Sequence, residues 1–193
     1  SPSTRNPAAP FTTSTLQQEA NSKLGMSSKA TMAAAQKLYQ EGKITYMRTD
    51  SVNLSSQAIA AAADYIKRLY GVDDSRVRKF KTKSAGAQEA HEAIRPTDMS
   101  RESVSGNDYD QKLYDLIRRR TLASQMAPAK LENTTITIAI DGSTYVFEAK
   151  GQVVIFDGFL RVYGGGKEDT LLPPLKSGDT LTRYSVEARQ VFA

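Results

Sequence analysis

The residues best suited to do chemistry lie in one short segment, residues 44 to 51, which contains Tyr46 and Arg48. The segment interrupts an Ala-rich helical pattern, and its alternation predicts extended backbone. In extended backbone, residues two apart share one side at about 6–7 Å, so a phenol and a guanidinium would face one phosphate. The planar guanidinium suits the charge that develops during phosphoryl transfer, and a nearby cation favours a phenolate. The spacing alone also fits a tyrosine and an arginine that only pack against each other. With nine tyrosines in the sequence, such a pair is weak evidence of chemistry.

The only histidine, His91, lies in a second segment, residues 87 to 97, together with Arg95. A lone histidine is normally structural. With Arg48, His91 and Arg95 would form an anion-binding site if the fold brings the two segments together, which spacing does not show.

Composition excludes several kinds of site. The absence of cysteine removes disulfides, thiolate nucleophiles and zinc ribbons, and a single histidine removes a His-rich metal site. A phosphate-binding loop is missing, because Lys167 is followed by Glu168 instead of Ser or Thr. Adjacent acids such as Asp73 and Asp74 point apart, so we assign no metal to these residues.

Positive charge is concentrated in the first two thirds of the chain. Residues 1 to 130 hold 20 basic and 13 acidic side chains (+7), whereas residues 131 to 193 hold 6 and 8 (−2). This balance favours a polyanionic partner. The sequence has neither an apolar run that would span a membrane nor a secretion signal, which predicts a cytoplasmic protein.

The pattern of elements predicts an α+β fold. Residues 1 to 10 predict a poorly ordered linker or domain edge. Helices are predicted over residues 14–24, 28–40, 55–70 and 108–126, of which the first two resemble a short helix-turn-helix. Ser14 or Thr15 would cap the first helix, and Arg118, Arg119 and Arg120 would close the last. Residues 72 to 88 predict a solvated basic loop.

A β-rich part follows Pro128. Strands are predicted over residues 134–140, 145–149, 152–156 and 180–188, with a loose connection around residues 164 to 174. The predicted organisation is therefore an edge or linker over residues 1–10, a helical domain over 11–130 and a β-rich domain over 131–193.

Four stretches resemble signature segments of bacterial type IA DNA topoisomerases, specifically the topoisomerase I branch. They are residues 10 to 19, residues 44 to 51 around Tyr46, residues 88 to 97 around His91, and residues 124 to 129. Their order and spacing match the family from about Pro10 to Lys130, whereas the β part matches mainly in style.

The resemblance implies that Tyr46 is the nucleophile, which attacks a phosphodiester of single-stranded DNA and forms a 5′-phosphotyrosine. Arg48 would contact the scissile phosphate, and His91 would position that phosphate or assist proton movement. One phosphodiester replaces another, so relaxation of negative supercoils by strand passage would need no ATP.

Weaker DNA-binding candidates flank these three residues. Arg95 is a supporting candidate in the histidine segment, and Asp50 would orient Arg48. Thr49 is a DNA-binding candidate, but Thr49 and Ser51 also fit a cap of the next helix, and for them the structural role is the preferred interpretation.

The resemblance further implies a helical domain inserted into a β-rich arch, of which residues 131 to 193 are the returning half. The acidic domain that binds Mg²⁺ would lie outside these residues, so we expect the isolated chain neither to cleave nor to relax DNA efficiently. The expected partners are single-stranded segments of supercoiled DNA and the rest of its own chain, in a monomeric, nucleoid-associated protein without membrane contact.

Two other interpretations remain open from the residues. In the first, the chain is a single-stranded nucleic-acid binding module in which Tyr46 only stacks on a base. In the second, it is a structural or partner-binding arch without chemistry. Nucleophilic attack requires the tyrosine hydroxyl, whereas stacking tolerates Tyr46→Phe.

Overall fold

The four long helices lie in the first two thirds of the chain. A small antiparallel sheet pairs a strand that precedes these helices with strands that follow them. The structure is a computed structural model that describes residues 1–80, 91–164 and 169–181. Its elements are β1 (Pro2–Arg5), α1 (Thr13–Leu24), α2 (Ser28–Gln40), α3 (Ser56–Tyr70), α4 (Asp108–Ser124), β2 (Ala129–Ala139), β3 (Val146–Phe156) and α5 (Leu160–Tyr163). The predicted α+β class is confirmed, and α5 is an element that the sequence pattern did not predict.

The four long helices begin where a side chain accepts a hydrogen bond from the first turn. The capping residues are Thr12, Ser27, Ser55 and Asn107. The prediction that Ser14 or Thr15 caps α1 is wrong, because the cap is Thr12, which pairs with Thr15. The Thr12 amide donates to Thr15 Oγ1 at 2.9 Å and the Thr15 amide to Thr12 Oγ1 at 3.3 Å.

The first residues of the chain form an edge strand. β1 pairs antiparallel with the start of β2, from Pro2 opposite Glu132 to Arg5 opposite Ala129. The prediction of little order over residues 1 to 10 is therefore wrong for Pro2–Arg5, because the partner strand lies far along the chain and leaves no local signal. Pro2 is tolerated there since the first residue of an edge strand needs no ladder N–H. Along the chain, helices α1 to α4 therefore lie between two strands, β1 and β2, that are hydrogen-bonded to each other.

β2 and β3 form a long antiparallel hairpin. The strands predicted over residues 145–149 and 152–156 are one strand, β3, which continues through Gly151. The missing side chain lets Thr170 approach, because a Cβ on Gly151 would lie 2.6 Å from the Thr170 carbonyl oxygen. The strand predicted over residues 180–188 falls mainly outside the described residues, and residues 180 and 181 are not in a strand.

The core that supports the first two helices also holds both chemically interesting segments. Its large buried members include Phe11, Leu16, Leu38, Ile44, Met47, Ile94, Leu113, Tyr114 and Ile117. Ile44 and Met47 come from the tyrosine segment and Ile94 from the histidine segment, so burial of apolar side chains anchors both segments to α1, α2 and α4.

The prediction that three arginines close α4 is wrong. The helix continues to Ser124, and Arg118 and Arg120 are buried in the protein while Arg119 is exposed. Arg118 donates to the Tyr65 hydroxyl, and its guanidinium lies 5.1 Å from the centre of the Tyr65 ring.

Arg120 is the centre of a buried polar cluster. Its Nε donates to the Ala9 carbonyl at 2.6 Å, and its Nη1 donates to Glu19 at 2.8 Å and to the Tyr163 hydroxyl at 2.9 Å. The guanidinium also lies 4.6 Å from the centre of the Phe11 ring. Burial, together with the hydrogen bond that Tyr163 donates to Glu19, raises the pKa of Tyr163. The cluster ties α1, α4, α5 and the segment before α1 together.

The predicted basic loop is only partly solvated. Arg76 and Lys79 are exposed, but Arg78 donates hydrogen bonds to the carbonyls of Ser124 and Met126 at the end of α4. The prediction of a solvated loop is therefore wrong for Arg78, which satisfies carbonyls that the helix leaves unpaired. The part of this loop beyond Phe80 lies outside the described residues.

Candidate active site

Tyr46 stands on a bent loop that follows α2. Ile44 forms an isolated bridge with Pro96, and the backbone bends repeatedly after it, so the predicted regular extended segment is wrong. The loop bends because its apolar residues Ile44 and Met47 both turn into the core. The intervening Tyr46 is 45% exposed, and Arg48 is exposed beside it.

The tyrosine and histidine segments lie side by side, as the anion-site hypothesis requires. The Thr45 amide donates to the Arg95 carbonyl at 2.9 Å, and Thr45 Oγ1 donates to the Ala93 carbonyl at 2.7 Å. The Thr97 amide donates to the Lys43 carbonyl at 3.0 Å. His91 is exposed two residues before Ala93.

The segments that carry the predicted catalytic side chains lie side by side, but these side chains form no hydrogen bonds with one another. Within the part of the chain that the structure describes, Arg48 forms no hydrogen bond or ion pair, with Asp50 or with any other residue. The expected orientation of Arg48 by Asp50 is therefore not seen. Tyr46 and His91 likewise share no hydrogen bond there.

Thr13, which sequence reasoning did not single out, holds the loop on both sides of Arg48. Thr13 Oγ1 donates to the Met47 carbonyl at 2.8 Å and accepts from the Thr49 amide at 2.9 Å. The Thr13 amide in turn donates to the Thr49 carbonyl at 2.9 Å. No local pattern predicts these contacts, because Thr13 precedes its partners by more than 30 residues.

We expect Thr13→Val to lower the free energy of unfolding by about 1–3 kcal/mol, because it leaves the Met47 carbonyl and the Thr49 amide without their partner. Urea unfolding of the 193-residue chain measures this. Thr13→Ser, which keeps the hydroxyl, should stay close to the unsubstituted chain. Equal stability of the Val variant would contradict the role of Thr13.

Thr49 and Ser51 stabilise the local backbone and do not cap the next helix. Thr49 Oγ1 accepts from the Ser51 amide at 3.0 Å, and Ser51 Oγ accepts from the Asn53 amide at 3.1 Å. The helix cap is Ser55, so the expectation that Thr49 or Ser51 provides it is wrong. Before the helix begins, a Ser or Thr hydroxyl tends to accept a hydrogen bond from the backbone amide two residues later, which forms a local turn.

Glu92 is a second contributor that sequence reasoning missed. Its carboxylate accepts from the Ser55 amide at 2.6 Å and from Arg95 Nη2 at 2.6 Å. Arg95 Nη1 donates to the Pro96 carbonyl at 3.0 Å. The guanidinium of Arg95 is thus used within the protein, as a support for the histidine segment, and its DNA contact stays a prediction. Burial would raise the pKa of Glu92, but hydrogen bonds from Arg95 and Ser55 outweigh burial and lower it.

The lowered pKa of Glu92 gives a pH dependence of known sign. A carboxylate with a depressed folded pKa stabilises the fold above its unfolded value of about 4.3, and this contribution is lost as the pH falls through the folded value. We expect Glu92→Gln to be less stable than the unsubstituted chain at pH 7, by a margin that shrinks towards pH 3.

Thermal unfolding at pH 7, 5 and 3 measures this margin. Glu132→Gln is the matched control, since Glu132 is exposed on β2 and has no ion pair with another described residue. A margin for the Glu92 variant that stays constant across this pH range would contradict the assignment.

An aromatic pair borders the exposed face of the loop. Tyr39, in the last turn of α2, and Tyr46 have ring centres 5.3 Å apart and ring planes inclined by 65°. Tyr39 is 40% exposed. The edge of one ring therefore meets the other in the geometry that aromatic pairs prefer.

Two further kinds of feature are missing from residues 1–80, 91–164 and 169–181. No three His, Asp or Glu side chains there lie close enough to hold a metal ion. No helix in this part of the chain is long and apolar enough to cross a membrane.

Comparison with known proteins gives a consistent result. The sequence profile of the family described as DNA topoisomerase matches residues 1–192. The chain is 47% identical to DNA topoisomerase 1 of Zymomonas mobilis and 46% identical to that of Synechocystis sp., over 99% and 92% of its length. It covers 17% and 21% of these two relatives. Full-length topoisomerase I from Thermotoga maritima has a similar structure, with a TM-score of 0.77 and 35% identity over 91% of this chain and 30% of that one.

Proposed function

The chain belongs to the DNA topoisomerase family, and from this membership we propose that Tyr46 is the nucleophile of a type IA reaction on single-stranded DNA. The observation that carries the proposal is the exposed phenol of Tyr46 on a loop held in place by Thr13 on one side and by the histidine segment on the other. A nucleophile needs both access and a fixed backbone.

The proposed step exchanges one phosphodiester for another. The Tyr46 oxygen attacks the phosphorus and forms a bond to it, while the bond from phosphorus to the 3′ oxygen breaks. The phenol proton leaves Tyr46 and a proton is taken up by the 3′ oxygen, so a 5′-phosphotyrosine and a 3′-hydroxyl result. No ATP is needed, because the number of phosphodiester bonds is unchanged and the 3′-hydroxyl reverses the step.

Among the described residues, Arg48 is best placed to hold the scissile phosphate. It is exposed beside Tyr46 and has no partner among the described residues, whereas Arg95 is occupied by Glu92 and Pro96. Its planar fork of donors matches phosphate oxygens and stabilises the charge that builds up on them. His91, exposed on the neighbouring segment, would position the phosphate or carry the proton.

Strand passage and relaxation of supercoils are proposed for the longer protein that would contain this chain. The chain spans about a fifth of the length of its two relatives, 17% and 21%. Strand passage, relaxation of negative supercoils and Mg²⁺ binding would therefore depend on residues outside this chain. The pairing of β1 with β2 supports a helical part inserted into a β-rich arch. The monomeric state and the association with the nucleoid are expectations from the family resemblance.

The test is to locate the covalent bond. The protein that carries this chain is incubated with single-stranded DNA and Mg²⁺, and the adduct is mapped by peptide mass spectrometry. An adduct on Tyr46 through the 5′ end of the DNA is the expected result. Intact binding of single-stranded DNA without any adduct would support the stacking interpretation, in which the exposed pair Tyr39 and Tyr46 binds bases.

A further inference from the structure

The contact between Tyr39 and Tyr46 suggests a role that the family assignment does not include. We propose that Tyr39 is a positioning residue that restricts the side-chain conformation of Tyr46 and so keeps its hydroxyl aimed at the scissile phosphate. This inference rests on the proposed function of Tyr46. It concerns only the ring of Tyr39, which touches Tyr46 edge to face at 5.3 Å between ring centres.

The backbone on both sides of this contact is fixed. At the end of α2, the Gly42 amide donates to the Tyr39 carbonyl at 2.9 Å and the Lys43 amide to the Leu38 carbonyl at 2.8 Å. Leu38 and Ile44 are fully buried on either side of the turn. The position of the Tyr46 hydroxyl therefore depends on the two side-chain torsions of Tyr46.

Those torsions have little other restraint. Tyr46 is about half exposed, and its hydroxyl forms no hydrogen bond with the described residues. Exposed side chains change rotamer within picoseconds to nanoseconds. A rotamer change moves the hydroxyl by several ångströms, whereas attack requires reacting atoms about 3–3.5 Å apart. The Tyr39 ring, packed against Tyr46, reduces the number of unreactive side-chain rotamers that Tyr46 can populate.

The surroundings of Tyr39 separate this role from a structural one. Tyr39 is 40% exposed, and the core face of α2 is supplied by its neighbours Ala34, Ala35 and Leu38. The Tyr39 hydroxyl has no hydrogen-bond partner among the described residues. Removal of the ring should therefore leave the fold intact, and removal of the hydroxyl alone should have no effect.

The kinetic test compares Tyr39→Leu and Tyr39→Phe in the protein that carries this chain. We expect the single-turnover rate of adduct formation at saturating single-stranded DNA to fall about two- to tenfold in the Leu variant, and to be unchanged in the Phe variant. The Kd for single-stranded DNA, measured in a Tyr46→Phe background, should stay within twofold. An unchanged rate in the Leu variant would overturn the proposal. A weaker Kd with an unchanged saturated rate would also overturn it, in favour of a base-stacking platform.

A second measurement does not depend on activity. In the chain with isotope-labelled tyrosine, the Hα–Hβ couplings of Tyr46 report its first side-chain torsion by NMR. We expect one dominant rotamer in the unsubstituted chain and in Tyr39→Phe, and averaged couplings in Tyr39→Leu. Averaged couplings in the unsubstituted chain would refute the role of Tyr39. Absence of any adduct in the unsubstituted protein would refute the proposed function instead, so the two failures are distinguishable.

Discussion

Tyr46→Phe should reduce covalent DNA adduct formation to background while leaving the affinity for single-stranded DNA nearly unchanged. The substitution removes only the hydroxyl oxygen, which is the atom that would form the bond to phosphorus. It keeps the ring that contacts Tyr39, and the buried neighbours Ile44 and Met47 still hold the loop. The measurement is a denaturing gel of protein and end-labelled DNA, paired with a binding titration at fixed salt.

Tyr109→Phe is the matched control for this experiment. Tyr109 is also an exposed tyrosine, at 55%, but it lies in the first turn of α4 and outside the loop. We expect the control variant to form adduct at the unsubstituted rate. Persistent adduct in Tyr46→Phe would show that another residue is the nucleophile, and loss of binding in that variant would indicate a disturbed loop.

Arg120→Ala should strongly destabilise the fold, and we expect it to lower the free energy of unfolding by about 3 kcal/mol. Arg120 is only 7% exposed, and its removal takes the donor from the Ala9 carbonyl and leaves Glu19 with only Tyr163 and Lys23 as partners among the described residues. It also removes the cation that lies over the Phe11 ring. Since the Phe11 carbonyl accepts from the Ile94 amide at 2.9 Å, the histidine segment should loosen as well.

The neighbouring Arg119→Ala is the control for this prediction. Arg119 is exposed and pairs only with Asp115 one turn earlier, a type of ion pair worth about 0.5 kcal/mol or less. Urea unfolding of both variants at pH 7 separates the two positions, provided that the slope against urea concentration is unchanged. Similar losses for the two variants would mean that the buried cluster contributes little.

Helix starts could be predicted where the signal is local. α2, α3 and α4 begin within a residue of their predicted starts, because Ser and Asn caps act over three residues. The cap of α1 differs from the prediction because several Ser and Thr residues compete there, and only the structure shows which pair satisfies the free amides. β1 could not be predicted, since its ladder depends on a strand more than 120 residues away.

The candidate site shows the same division. Residue type and resemblance select Tyr46, Arg48 and His91 as candidates, and their roles stay predictions. The residues that hold the loop, Thr13 and Glu92, act on segments 34 to 37 residues distant and have no signature of their own. The bent loop was predicted as extended because alternation also arises when two apolar residues turn into a core from an irregular segment.

The pairing of β1 with β2 has a consequence for the order of folding during synthesis. Arg5 lies opposite Ala129, so β1 leaves the ribosome 124 residues before its partner. At about 5–20 residues per second, this interval lasts roughly 6–25 s, which is far longer than helix formation at about a microsecond. α1 to α3 and the loop between them are therefore synthesised, and can pack, before the sheet closes around their two ends. The loop that carries Tyr46 is therefore synthesised well before the β1–β2 pairing that closes the sheet can form.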